Sequence, residues 1–299
     1  MSAPQTAIFQ EGSNKFYHLE YCVSSSATPK QIKQALSSVL SDQVSGVNIV
    51  LGFGKSIWDK LSSDCSPEGF THFESLNEQG TYPLMSTQQD LFFWVHSQNH
   101  DDNFDQIILI NKALENLAEL TLDLPGFTYH DSRDLIGFVD GTANPKGDAR
   151  QKEALIPEGK AGAGGSFVLS QKWVHDLSAF NDLPVCAQEQ VVGRTKTADV
   201  ELEGDAMPKD SHVSRTDVKL NGTAAKIYRR SAPYGNASEH GLYFLAFSCD
   251  INRFDVQLKH MFGQTEDGLH DKLIEYSKPV TSSYWFAPSH SDLHIMLSK

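Results

Sequence analysis

The alternation of apolar and polar positions, and where it gives way to helical spacing, divides the chain into short elements. "KFYHLEYCVS" (15–24) is rich in β-branched and aromatic residues and predicts a strand. "TPKQIKQALSSVLSDQ" (28–43) predicts a helix, with Thr28 as N-cap and Pro29 at the first helical position. Strands follow at "GVNIVLGFG" (46–54) and "DLFFWVHSQ" (90–98). In "DNFDQIILINKALENLAEL" (102–120), Phe104, Ile107, Ile108 and Ala113 or Leu114 recur at helical spacing, and "LTLDLPGFTYH" (120–130) closes the series as a strand. The order is β-α-β-β-α-β, the ferredoxin-like arrangement.

The rest of the chain repeats that order. "GSFVLSQKWVHDL" reads as a strand and "LPVCAQEQVVGRT" as a helix. "KIYRRSAPYG" and "GLYFLAFSCD" read as a hairpin pair, "INRFDVQLKHMFG" as a helix and "SSYWFAPS" as a last strand. A local match, "LFFWVHSQNHDDNFDQI" against "LYFLAFSCDINRFDVQL", supports duplication. The expected fold is therefore α+β, two ferredoxin-like halves at 1–132 and 133–299, each an antiparallel sheet with helices. "PKGDARQKEALIPEGKAGAGGS" (145–166), rich in Gly and charge, reads as a long connecting loop.

Composition narrows the class. At 299 residues with 39% apolar residues, the chain has ample core for a globular protein, and no apolar run approaches the ~20 residues of a membrane span. The N-terminus lacks the basic and apolar regions of a secretory signal, which predicts a cytoplasmic protein. Cys22, Cys65, Cys186 and Cys249 are scattered without a C-x-x-C pair, arguing against a disulfide framework or a structural zinc site. A net charge of −13 argues against nucleic-acid binding. The 12 histidines are dispersed and form no H-E-x-x-H.

Candidate chemistry begins at "RDLIGFVDGTANPKG" (133–147), where an apolar run ends in Asp140-Gly141-Thr142. Asp140 either opens an Asx-turn or is a lone acid/base facing a pocket. A phosphatase of the D-x-D-G-T type fails, because Phe138 stands where the nucleophilic carboxylate belongs. "GKAGAGGS" lacks the G-K-[ST] ending of a phosphate loop and reads as a plain loop. In "KIYRRSAPYG", alternation puts Arg229 and Ser231 on one strand face and Arg230 on the other, which suits a polar pocket and a solvated face equally.

Taken together, these segments resemble a known family. "GFVDGTANP" resembles the G-x-x-D-G signature of the dye-decolorizing peroxidases, "SHVSR" their proximal haem-histidine segment, and "RRSAPYG" their distal R-x-[NS]-x-P-[FY]-G segment. "GRTK", "HGLYF" and "VTSSYWFAPS" are similar to the bacterial YfeX-like branch, in the same order from about residue 130 onward. "LGFGKSIWDKL" and "NFDQ" match more loosely.

The resemblance implies two ferredoxin-like halves with haem b held mainly by the second. It implies His212 as the axial ligand to the haem iron, Asp271 as the acceptor for that imidazole's other N–H, and Asp140, Arg229 and Ser231 on the distal face. The choice of Arg229 over Arg230 depends on the R-x-S register. Arg194 and Arg215 are candidate haem-propionate partners, since Arg pairs well with carboxylates. The implied reaction uses hydrogen peroxide and small one-electron donors such as dyes and phenolics, through a ferryl intermediate. An Asp base predicts an acidic optimum with dyes unless burial moves it upward. Trp173, Tyr228, Tyr243, Tyr284 and Trp285 are candidate surface aromatics for relaying electrons. A homo-oligomer is expected. Encapsulin cargo is not, because the chain ends soon after "SDLHIMLSK". The alternative is a haem-binding protein for storage, delivery or iron release, with incidental peroxidase activity.

Overall fold

The computed structural model describes residues 2–62 and 66–298. The first half contains β1 (Lys15–Val23), α1 (Pro29–Ser41), β2 (Asn48–Phe53), α2 (Lys55–Ser62), β3 (Leu91–Ser97), α3 (His100–Ala113) and β4 (Ala118–Phe127). Its strands lie in the order β4-β1-β3-β2, all antiparallel. Helix α1 starts where the sequence predicts: the Thr28 side chain accepts from Gln31 N, while the Gln31 side chain accepts from Thr28 N. A reciprocal cap of this kind contributes about 1 kcal/mol. Helix α2 is an addition to the expected order, driven by burial of Ile57, Trp58 and Leu61 along one face.

The second half contains α4 (Ala149–Ala154), β5 (Ser166–His175), α5 (Leu177–Asn181), α6 (Val185–Val192), α7 (His212–Thr216), a small hairpin of β6 (Lys219–Leu220) and β7 (Thr223–Ala224), then β8 (Tyr228–Arg229), β9 (Ala232–Gly235) and β10 (His240–Ser248). It ends with α8 (Asn252–Met261), β11 (Ser277–Pro279), β12 (Ser283–Ala287) and α9 (His290–Ser298). The order β12-β5-β10-β8 repeats the first half's arrangement strand for strand, and β9 extends β10 in the register of β8. The fold is thus the expected pair of ferredoxin-like halves. The two sheets join edge to edge where Phe286 of β12 pairs with Phe53 of β2. Edge strand β4 in turn lies against β9.

The connection at 145–166 is not the structureless loop its composition suggested, because α4 lies inside it. Ala154 is fully buried, the Glu153 carbonyl accepts from Cys249 N at 2.8 Å, and the Glu153 carboxylate pairs with Arg253. These tertiary ties stabilise a helix too short to stand on propensity.

Alternation along β1 splits its side chains between two environments. Tyr17, Leu19 and Tyr21 join the core under α1 and α3, whereas Phe16 belongs to a second cluster with Phe92, Trp94, Tyr243 and Trp285. Glu20, on that same second face, is 2% exposed and accepts hydrogen bonds from Tyr243 Oη at 2.8 Å and Ser170 Oγ at 3.3 Å. Burial pushes its carboxyl up to about 7, with those two donors acting in the opposite direction. Among the described residues no helix is long and apolar enough to cross a membrane, and Cys22, Cys186 and Cys249 are free. Cys65 lies outside the described residues.

Candidate active site

A cleft of about 1030 Å³, measured out to its open mouth, lies in the second half. Its exposed lining is largely apolar, with Phe138, Leu169, Trp173, Val192, Phe244 and Met261 among the contributors, and polar side chains interrupt it. That combination marks small-molecule and cofactor sites generally. His212, Asp271, Asp140 and Arg229, proposed from four separate stretches of sequence, all reach it.

His212 opens helix α7, whose N-cap Ser211 accepts from Ser214 N. Its Nδ1 lies 2.6 Å from Asp271 Oδ2. A carboxylate only accepts, so Nδ1 carries the proton and Nε2 is left with its lone pair for a ligand from the cleft. Asp271 is fully buried and its other oxygen accepts from Leu273 N at 2.9 Å. A buried carboxylate with both oxygens engaged fixes the imidazole's tautomer and orientation.

Asp140 ends the apolar run as the sequence suggests, at a turn held by Asp140 N donating to Ser132 O at 3.0 Å. Its Oδ1 sits 3.9 Å from Arg229 NH2. Burial pushes the Asp140 carboxyl above its ordinary value and Asp134 adds to the rise, while Arg229, the Gly141 N–H and His212 act against it. Arg229 is placed by a residue the sequence reading passed over. The Asn144 side chain donates to Arg229 O at 2.8 Å and accepts from Arg229 N at 2.9 Å, gripping its backbone on both sides. The asparagine in "GTANP" was the available signal, but its partner 85 residues away was not visible there.

Within the R-x-S segment, Arg229 lines the cleft. Arg230 turns to the other face, 4.9 Å over the Trp94 ring, with its guanidinium on the Ile8 and Gln10 carbonyls. Ser231 lines a second cavity that shares Asp140 and Arg229 with the cleft, and its Oγ accepts from Leu245 N at 3.3 Å. Arg215 is a correction: it does not line the cleft. It is 4% exposed and its fork is turned onto Asp267, Thr265 and the His260 carbonyl, a buried cation already paired with a carboxylate. Arg194 lines an adjoining cavity that shares Asp140, His212 and Arg229 with the cleft, and its donors are engaged by Asp199 and Glu201. A further buried pair escaped sequence reading: His175 Nε2 lies 3.2 Å from Asp134 Oδ2 and its Nδ1 lies 2.7 Å from Ser277 Oγ, all three on the cleft lining.

These residues fit a haem. The cleft supplies an apolar slot, one imidazole nitrogen free of the protein's own hydrogen bonds, and a buried carboxylate behind that imidazole.

Comparison with known proteins agrees. The Dyp-type peroxidase N-terminal model matches residues 14–128 and the C-terminal model residues 131–292. A dye-decolorizing peroxidase of Mycolicibacterium paratuberculosis is 34% identical over 248 residues, 81% of this chain and 70% of that one. Among solved structures, a dye-decolorizing protein from V. cholerae superposes with a TM-score of 0.87 at 35% identity, covering 98% of this chain and 99% of the other. A DypB variant from Rhodococcus jostii RHA1 in complex with heme superposes with a TM-score of 0.88 at 30% identity, covering 97% and 96%. The chain belongs to the Dyp-type peroxidase family. It is a haem-dependent peroxidase.

Proposed function

We propose that this peroxidase cleaves hydrogen peroxide with Asp140 and Arg229 while His212 holds the haem iron, and that small dyes and phenolics then supply two electrons, one at a time. The observation that carries the reading is the convergence of Asp140, Arg229, His212 and Asp271 on one apolar cleft. When bound there, haem b supplies the iron centre at which peroxide is reduced. Asp140 takes a proton from one peroxide oxygen and returns it to the other, which leaves as water. Arg229, cationic at every working pH, stabilises the charge growing on the departing oxygen. Ser231 holds a water in the cavity beside the pair. Asp271 keeps His212 in the tautomer that coordinates.

The same reading divides the chain at 132/133, with haem held mainly by the second half, and takes the protein to act as a homo-oligomer. The exposed free thiols of Cys22 and Cys186 suit a reducing cytoplasm.

The test is the absorption spectrum of haem-loaded protein before and after one equivalent of hydrogen peroxide, for wild type, His212→Ala, Asp140→Ala and Arg229→Ala. The reading expects a Soret band disrupted in His212→Ala and a rapid peroxide-driven change slowed in both distal variants. Haem binding without any such change in wild type would favour a carrier instead.

A further inference from the structure

The segment Gly193–Asp199 touches both the element that carries His212 and the turn that carries Asp140. At its start, Gly193 has φ +90, and a Cβ there would stand 2.9 Å from Ser211 Oγ and 3.0 Å from both Val213 Cβ and Met207 Sδ. The chain thus passes hard against the first turn of α7, on either side of His212 in sequence. At its end, Asp199 accepts from Arg194 Nε at 2.8 Å with one oxygen and from the Thr142 hydroxyl with the other.

Between these ends, Lys196 lies across the back of the Asp140 turn. Gly137 has φ +91, and a Cβ there would be 2.6 Å from Lys196 Cε, so the lysine stem fills the notch that glycine leaves. The Lys196 ammonium donates to Gln188 Oε1 at 2.6 Å and lies 5.6 Å from the Phe138 ring centroid and 5.9 Å from that of Phe180. Its backbone is tied as well: Lys196 N donates to Glu189 Oε1 at 2.9 Å, and Lys196 O accepts from Arg133 NH1, which also reaches Gly137 O. The turn is therefore gripped at Gly137 before Asp140 and at Thr142 after it.

We propose that Gly193–Asp199 is a strap that sets Asp140 relative to His212, with Lys196 as a positioning residue for Asp140. The inference deepens the functional reading above and rests on it. A carboxylate that must reach both oxygens of one small peroxide tolerates little displacement, and apolar packing alone leaves a turn of this kind free to shift. Lys196 supplies what packing lacks: a stem shaped to one notch and a charge anchored on Gln188 of α6, the helix whose Val192 borders the cleft. A lysine that merely stapled the small Phe138 and Phe180 core would affect stability alone. A strap affects where and how firmly Asp140 is held.

The experiment compares haem-loaded wild type with Lys196→Ala, Lys196→Met, Gly193→Ala and Asp140→Asn. It reads hydrogen exchange over residues 131–142, the ferric absorption spectrum, and the pH dependence of kcat/KM for peroxide. Lys196→Ala is expected to speed exchange over 131–142 at least tenfold and lower kcat/KM at least fivefold. Its pH midpoint should move down toward an ordinary carboxylate as water reaches Asp140. Lys196→Met, which refills the notch, should recover more than half of the lost rate on a logarithmic scale. Gly193→Ala should instead change the ferric spectrum through His212 and leave exchange over 131–142 near wild type. A Lys196→Ala protein that melts earlier but keeps wild-type exchange, pH midpoint and kcat/KM would overturn the proposal. A wild-type peroxide rate in Asp140→Asn would sink the functional reading by itself, with the exchange result left standing.

Discussion

The two halves share one strand order and differ in what fills the first crossover. In the first half a single helix, α1, joins β1 to β2 and lays Ile32, Leu36 and Val39 on the sheet. In the second half the corresponding link from β5 to β8 runs through three short helices, α5, α6 and α7, and the small β6–β7 hairpin, with loops between them. No one of these is long enough to cover the sheet as α1 does. The face that the first half closes with aliphatic side chains is in the second half the apolar wall of a cleft, with Leu169 and Trp173 of β5 on its lining. The same topology thus makes a packed core or a cofactor slot, according to whether one long helix or several short ones span it.

Breaking the second half's distinguishing feature should have the largest effect. His212→Ala removes the imidazole at the cleft that Asp271 orients, and the Soret band of haem-loaded protein should be lost or strongly shifted. Asp140→Asn keeps the shape of the turn but removes the carboxylate proposed as the base, and should slow the peroxide step by about 10²–10⁴-fold in stopped-flow measurements. Arg229→Leu should cost about 10²–10³-fold. Neither substitution should alter the melting temperature much, because both side chains face the cleft.

The first half should answer in the opposite way. Leu36, fully buried between α1 and the sheet, should cost about 2–5 kcal/mol in chemical denaturation when truncated to Ala, with the ferric spectrum and the pH profile of the peroxide step unchanged. A spectral change in Leu36→Ala would show the halves to be coupled more tightly than the comparison holds.

The smallest effect concerns Glu20, between the two sheets. Its folded value of about 7 stands above the ordinary glutamate value of 4.5, so the folded state binds the extra proton between those limits. The stability this contributes is fully present below about pH 4.5 and is lost as pH rises through about 7. Glu20→Gln, which still accepts from Tyr243 and Ser170, should flatten that decline. It should raise the melting temperature at pH 8 by a few degrees, on the order expected for 1–3 kcal/mol. An identical pH dependence in the two proteins would place the titration elsewhere.

Much of this was legible in the sequence where the signal is local. The capped start of α1 and the aromatic-rich strands β1, β3 and β10 needed only near neighbours to be read, whereas Asp140, His212 and Arg229 stood out only through the resemblance of their segments to a known family. What stayed hidden depends on partners far along the chain. Arg215 has the residue type for a propionate, but Asp267, more than fifty positions away, claims its guanidinium. Asn144 reads as a turn residue until Arg229 is folded against it. Helix α4 is masked by the glycines and charges around it, and exists because Cys249 and Arg253 hold it in place. Lys196 shows its purpose only once Gly137 is seen to leave room for its stem.

The central claim is that Asp140, raised by burial beside Arg229, is the base that moves the peroxide proton. The most direct test is the second-order rate constant for hydrogen peroxide with haem-loaded protein, followed by stopped flow from pH 3 to 8 in wild type and Asp140→Asn. The account predicts that the wild-type rate rises with pH through one ionisation lying above the ordinary carboxylate value of about 4, and that Asp140→Asn is slow with that limb gone. The same limb at the same rate in Asp140→Asn would contradict it.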